Sequence, residues 1–306
     1  MVASLKIGFI GLGAMGLPMA ARLRAAGYTL RVFDADAKRM AAVAAEIGAT
    51  ASATAGEAVG DADIVVTMLP SSAVVAAVLE GGDGALSRMR RGTLILEMSS
   101  GVPEETRRLA AAAAASGVDL VDAPVSGGVP RARTGELAIM LGGPAAACDR
   151  AEPVLALMGK TVIRTGAVGS AHAMKALNNL VSAAGFLIGI EALLIGQRFG
   201  LDPAQMVDVL NASTGMNNST QKKFKQFVLS RRFDAGFGLD LMVKDLGIAL
   251  GVAKATETPA PFAGLCLEMW SGAQKLLGRG MDRTAMAQFS ERLAGAELSP
   301  AADGKR

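Results

Sequence analysis

The run Gly8-Phe9-Ile10-Gly11-Leu12-Gly13-Ala14-Met15-Gly16 constrains this chain more than any other feature. It spaces glycines as G-x-G-x-x-G at 11, 13 and 16. It sits directly after an apolar strand pattern and directly before a helical one. The spacing alone is common, and the context makes it informative. Gly11 suits the tight turn off a first strand. Gly13 carries no Cβ, so a pyrophosphate can approach the backbone, and Gly16 lets the helix pack closely on the sheet. The helix N-terminus then aims free amides and a positive dipole end at the phosphates. Gly11, Leu12, Gly13, Ala14, Met15 and Gly16 are therefore candidate dinucleotide contacts. The alternative is a glycine turn with no ligand.

A dinucleotide turn of this kind is followed about 20 residues later by an acid ending the second strand. Asp34, in Arg31-Val32-Phe33-Asp34, fits that place. Its carboxylate can accept hydrogen bonds from the adenosine ribose and would repel a 2′-phosphate. This favours NAD, while Lys38 and Arg39 close by keep NADP possible. Ligands of parallel sheets lie beyond the carboxyl ends of the strands. Met68-Leu69-Pro70 and Ser99-Ser100 fall at such ends, so Leu69 and Pro70 are expected against the ribose and nicotinamide.

Strand patterns recur at 6–10, 30–34, 64–69, 93–98, 120–123, 138–141 and 162–164, with amphipathic stretches such as 17–26 and 74–79 between the earlier ones. Steps of about 30 residues mean βαβ units and a mostly parallel sheet. After residue 166 the strand signals stop, and 171–199, 202–210, 220–229, 241–256 and 261–277 read as helices. A chain of 306 residues, 51% hydrophobic and 19% charged, has the length and apolar content for two globular domains. The expected division is 1–165, an α/β dinucleotide-binding domain of Rossmann type, and 166–306, an all-α domain for substrate and oligomerisation. The long helix joins them. The tail from Ser299 reads as disordered.

Three further segments carry chemistry. Ser126-Gly127-Gly128, after Asp122-Ala123-Pro124-Val125, offers a hydroxyl and two freely oriented amides. That is either a carboxylate grip or an ordinary strand-to-loop turn. Lys175 and Asn179 lie four apart, hence on one face of an otherwise apolar helix. A buried lysine is costly unless paired or used, and the alternative is a lysine snorkelling to water. Lys244-Asp245 repeats a lysine beside an acid, and there a surface ion pair is the stronger reading. The lone histidine, His172, is read as structural or peripheral.

Together these motifs resemble the β-hydroxyacid dehydrogenase family, which includes 3-hydroxyisobutyrate dehydrogenases and tartronate semialdehyde reductases. The resemblance runs from residue 7 to about residue 293, with four motifs in order. It implies hydride transfer between a nicotinamide cofactor and a small β-hydroxy acid or its semialdehyde. It implies that Gly11 to Gly16 bind the dinucleotide, Asp34 selects its ribose and Ser100 contacts the cofactor. It further implies that Ser126, Gly127 and Gly128 hold the substrate carboxylate, Lys175 is the catalytic acid–base and Asn179 orients the substrate. Lys244 lies where the family closes over nicotinamide and substrate. Arg131, Phe237 and Asp240 are candidates to read the rest of the substrate, with Phe237 placed against it. A homodimer or homotetramer built through the helical domain is also implied. Alternatives on the same fold are an imine reductase, in which the lysine position usually holds another residue, and a non-catalytic dinucleotide-binding module.

Other features exclude more than they suggest. Cys148 and Cys266 are far apart and have no metal-ligand spacing, so no metal and a reduced, cytoplasmic protein are expected. The net charge of +3 is small. The densest basic stretch, Lys222, Lys223, Lys225, Arg231 and Arg232, reads as a solvated face or subunit contact, not a nucleic-acid site. The apolar run 180–195 is short for a membrane span and carries Glu191, so a core helix is expected. The polar stretch 211–218 is either a loop at the site or a structural turn.

Overall fold

The computed structural model describes residues 5–82 and 84–299. The described residues fall into two compact units divided after Lys175. The first holds one sheet of nine strands: β1 (Lys6–Ile10), β2 (Thr29–Phe33), β3 (Thr50–Ala51), β4 (Ile64–Thr67), β5 (Leu94–Glu97), β6 (Asp119–Asp122), β7 (Val125–Ser126), β8 (Leu137–Gly142) and β9 (Gly159–Gly166). Their order is β3-β2-β1-β4-β5-β6-β8-β7, with β9 on β8. The six strands from β3 to β6 are all parallel, and β8 runs antiparallel to β6 and β7. The order 3-2-1-4-5-6 places its switch point between β1 and β4, where a dinucleotide binds in a doubly wound fold.

Strand periodicity explains the layers. Ile7 and Phe9 of β1, Ile64 and Val66 of β4, and Leu94 and Leu96 of β5 enter one core. The intervening Ile10, Val65 and Ile95 enter the core on the opposite face. Strands buried on both faces read as unbroken apolar runs, which is why these segments show little polar alternation. The helices between them start on local caps. Asp36 accepts the Lys38 and Arg39 amides at Ala37–Ile47, and Ser71 caps Ser72–Glu80. Pro103 with Glu104 and Glu105 opens Pro103–Ala115.

Two strands were not expected, β3 and β7, each of two residues and too short to show a period. Strand β4 ends at Thr67 and not at 69. The Leu69 amide donates to the Ser99 side-chain oxygen (2.9 Å) in place of a strand partner.

The long helix Ser170–Phe199 begins in the first unit and continues into the second. It is long and apolar enough to cross a membrane by length and composition, but half of its apolar window is buried within the fold. Its inward residues Phe186, Ile190 and Leu193 join a helical core with Phe224 and Trp270. The Phe186 ring lies 5.4 Å from Phe224 and 6.0 Å from Trp270, centroid to centroid. Gly189 makes room for this packing, since a Cβ there would lie 2.6 Å from the Phe224 ring. The second unit also contains the helices Pro203–Asn211, Leu239–Ala255, Pro261–Leu277 and Met286–Ala294. The last was not expected.

Two expectations need correction here. The helix expected over 220–229 is a short α-helix, Asn218–Lys222, followed by a π-helical turn, Phe224–Leu229. The break falls at Lys223, with φ −132° and ψ −45°. At the end of the polar stretch before it, Asn217 and Thr220 form a capping box that opens the short helix. Ser299 is ordered, its amide donating to Gln197 Oε1 at 3.0 Å, and the rest of the expected tail lies outside the described residues.

Candidate functional site

In the first unit, the turn after β1 divides its glycines by environment. Gly11 has φ +97°, and a Cβ there would lie 2.3 Å from the Met68 carbonyl oxygen. A Cβ on Gly16 would lie 1.9 Å from the Gly11 carbonyl oxygen. At Gly13 a Cβ would meet no protein atom within 4 Å. Internal packing therefore demands the first and third glycines and not the second. That is the pattern expected when the second faces a pyrophosphate, so the residues present fit a dinucleotide. Leu12 is buried, Ala14 exposed, and Met15 half-buried.

Asp34 stands just beyond β2. Its Oδ2 accepts the Leu12 amide (2.8 Å), and its Oδ1 accepts the Asp36 amide (2.9 Å). Arg39 approaches Oδ1 at 3.4 Å. The carboxylate thus ties the glycine turn to the end of β2. Half-buried Leu69 and exposed Pro70 follow β4, and half-buried Ser100 follows β5. Past β7, Gly127 (φ +136°) and Gly128 (φ +71°) take backbone angles that L side chains rarely adopt, and a seven-residue helix follows. Ser126 is half-buried on the two-residue β7. Arg131 packs against Gly127, where a Cβ would lie 2.7 Å from the Arg131 Cδ.

Lys175 is only 7% exposed. What anchors its helix is a buried polar network that the sequence did not reveal. Asp122, at the end of β6, accepts the Gly169 amide (2.8 Å) and the His172 amide (2.9 Å), capping the helix start. The His172 Nε2 lies 2.9 Å from Glu97 Oε2 and 3.0 Å from the Ser99 carbonyl oxygen. Its Nδ1 lies 2.8 Å from the Thr106 hydroxyl, whose own hydrogen goes to the Val102 carbonyl (3.0 Å). Nε2 faces only acceptors and so donates, and the Thr106 oxygen can accept from Nδ1 while its hydrogen goes to Val102, an arrangement that suits an imidazolium beside the Glu97 carboxylate.

The electrostatics agree. Burial alone would lower the His172 pKa, but the Glu97 carboxylate outweighs it and the net shift is upward. Burial would raise Glu97, but His172 and the Ser99 hydrogen bonds hold it below the usual range. Burial dominates at Asp122 and pushes it up. His172 is buried within this network. The signal available in sequence was acids ending two strands, Glu97 and Asp122, with one histidine near the start of the long helix.

In the second unit, Asn179 is buried and donates through Nδ2 to Asp245 Oδ2 at 2.6 Å. The Lys244 ammonium lies 3.5 Å from Asp245 Oδ1. The expectation of a surface ion pair at Lys244-Asp245 is therefore corrected. Asp245 is 1% exposed, because its helix turns it toward the Asn179 face and leaves Lys244 at its edge. Phe237 is half-buried, with the Arg283 guanidinium 5.3 Å over its ring. Asp240 accepts from Gln274 at 2.6 Å. No His, Cys, Asp and Glu cluster fit for a metal occurs among the described residues.

Two family models match in tandem. Residues 6–166 match the NAD-binding domain of 6-phosphogluconate dehydrogenase, and residues 169–290 match the domain described as NAD-binding of NADP-dependent 3-hydroxyisobutyrate dehydrogenase. Among curated relatives, 2-(hydroxymethyl)glutarate dehydrogenase of Eubacterium barkeri is 38% identical over 98% of this chain and 99% of its own length. The chain belongs to the β-hydroxyacid dehydrogenase family. The solved 3-hydroxyisobutyrate dehydrogenase of Mycobacterium tuberculosis, with L-serine, superposes with a TM-score of 0.86 at 33% identity, covering 93% of this chain and 98% of that one. An imine reductase from Myxococcus stipitatus shares the fold only, with a TM-score of 0.63 at 22% identity over 94% and 99% of the chains. A β-hydroxyacid dehydrogenase is an oxidoreductase that uses a nicotinamide cofactor, and this chain is one.

Proposed function

We propose that this β-hydroxyacid dehydrogenase prefers NAD and interconverts a small β-hydroxy acid and its semialdehyde, with Lys175 as general acid–base. The observation that carries the reading is Lys175, buried on a helix whose start is pinned by Asp122 and His172 to the carboxyl ends of β5 and β6. Ligands of this fold bind at those ends.

A nicotinamide held beyond these strand ends would supply or accept the hydride. Removing hydride from an alcohol leaves an oxygen that must lose its proton, and Lys175 Nζ takes it; in reduction it returns the proton. The Ser126 hydroxyl and the Gly127 and Gly128 amides grip the carboxylate. Asn179, itself held by Asp245, orients the reacting carbon, with Phe237 against the substrate and Lys244 beside the nicotinamide. Gly11, Leu12, Gly13, Ala14, Met15 and Gly16 hold the pyrophosphate, and Leu69, Pro70 and Ser100 flank the ribose and nicotinamide. Asp34 supports NAD over NADP, since its carboxylate would repel a 2′-phosphate. Arg39 beside it moderates that preference. We place dinucleotide binding in 1–165, and substrate binding and assembly in 166–306. Val181, Ile188 and Ile195, seven residues apart on the long helix, are exposed, as is Phe199. That apolar stripe supports a homodimer or homotetramer.

The test compares wild type and Lys175→Ala on a panel of short β-hydroxy acids and semialdehydes, with NAD and NADP in turn. The reading requires turnover by the wild type and a loss of about 10²–10⁴ in kcat in the variant, with cofactor binding retained. A variant that keeps wild-type kcat while the chemical step is rate-limiting removes Lys175 from the role.

A further inference from the structure

The basic stretch between Lys222 and Arg232 has no part in the site described above. The structure pairs most of it off. Lys225 pairs with Asp208, Arg231 with Glu291 and Glu297, and Arg232 with Asp234. Lys222 is exposed. Lys223 is different. It is 7% exposed, and its ammonium donates to a neutral amide, Asn218 Oδ1, at 2.8 Å.

The helical break at Lys223 brings that side chain in beside Arg283 on the 3-10 turn Arg283–Ala285. Arg283 Nε is buried and makes no hydrogen bond among the described residues. The acid that adjoins both cations is Asp282, and its two oxygens are already committed. Oδ1 accepts the Thr284 amide (2.8 Å) and hydroxyl (2.5 Å), and Oδ2 accepts the Gly236 (2.7 Å) and Phe237 (3.0 Å) amides. Burial, and then the charge of Arg283, push the Lys223 ammonium down to about 8. Burial also lowers the Arg283 guanidinium. A buried ammonium beside a half-buried guanidinium, without a carboxylate of their own, is costly. An ammonium and a guanidinium fork together suit a carboxylate, and the Phe237 ring under Arg283 adds an apolar wall. The neighbouring π-helical turn is of the kind that clusters at functional sites.

We propose that Lys223 and Arg283 form an anion subsite beside Phe237 that takes a second carboxylate of the substrate, so that the preferred substrate is a hydroxy diacid. The proposal rests on the reading above of Phe237 as a substrate contact and of the substrate as a hydroxy acid.

The experiment has two arms. In the first, kcat/KM is measured for 2-(hydroxymethyl)glutarate and for 2-(hydroxymethyl)pentanoate, which lacks the distal carboxylate. The wild type is expected to favour the diacid by about 10- to 100-fold, the worth of one or two charge-assisted hydrogen bonds. Arg283→Gln and Lys223→Met should each collapse that ratio at least about tenfold, and Arg283→Lys should recover part of it. A wild-type ratio near one, or a ratio that survives both neutral substitutions, overturns the subsite. In the second arm, glutarate and pentanoate are titrated calorimetrically into the wild-type enzyme with NAD. Equal affinity overturns the subsite even if the variants fail to fold. If neither hydroxy acid is turned over but glutarate binds tightly and loses affinity in Arg283→Gln, the subsite stands and the hydroxy-acid reading falls.

Discussion

Replacing Glu97 by Gln tests the buried network that anchors the Lys175 helix. The substitution keeps shape, removes the charge facing the His172 imidazolium, and replaces one of two accepting oxygens with a donor amide. Both side chains are almost wholly buried, at 4% and 0% exposure. Breaking one partner of such a pair costs about 3–5 kcal/mol, and the low end is expected because Asp122 also stabilises the imidazolium. For a unit of this size each kcal/mol moves Tm by about 2–4 °C, so a fall of about 6–12 °C should follow.

Its pH dependence has a definite sign. His172 is raised above its ordinary 6.5, so its contribution is whole below that pH and is lost as pH climbs through the folded value. Glu97 is held below its ordinary 4.5, so its contribution is whole above that pH and is lost as pH falls through the folded value. The gap in Tm between wild type and Glu97→Gln should therefore be widest between 4.5 and 6.5, and should narrow on both sides. Scanning calorimetry of both proteins at mildly acidic and at alkaline pH measures it. A gap of a degree or less at mildly acidic pH, or one that widens toward alkaline pH, refutes an ion pair at this position.

Other outcomes follow from the same geometry. Asn179→Ala should lower kcat at least about tenfold and leave Asp245 without its 2.6 Å donor, a loss of about 1–3 kcal/mol readable by urea unfolding. Asp34→Ser should weaken NAD and improve NADP, shifting the ratio of kcat/KM for the two cofactors at least about tenfold, in steady-state assays with each cofactor. Gly189→Ala drives a Cβ to within 2.6 Å of the Phe224 ring, an overpacking cost of about 1–3 kcal/mol. Thermal unfolding will report it, with kcat per folded molecule changing little.

The parts legible in sequence were those written locally. The glycine turn, Asp34 at its strand end and the alternating apolar faces of β1, β4 and β5 are short-range patterns, and so is the single long helix. The rest depended on partners distant in sequence. His172 meets Glu97 across 75 residues and Asn179 meets Asp245 across 66, and no periodicity announces such pairs. Asp245 read as a surface acid because its neighbour Lys244 supplied an obvious partner, while the burying contact lay on another helix. Lys223 read as one of five similar cations because only a π-helical turn, set by packing, separates it from the rest. The two-residue strands β3 and β7 escaped for a different reason, having too few residues to carry a period.

The unequal surroundings of the three glycines after β1 bear on how mutations in this turn would be inherited. At Gly11 and Gly16 alanine collides with the chain's own carbonyls, so selection for a folded protein suffices to keep glycine, even in a descendant that has lost its cofactor. At Gly13 alanine meets no protein atom, so folding alone would let it drift. A library of variants sorted once for cellular abundance and once for catalysis should separate these positions. Substitutions at 11 and 16 would vanish from both pools, and those at 13 only from the second. A lineage drifting toward a non-catalytic role would lose Gly13 first.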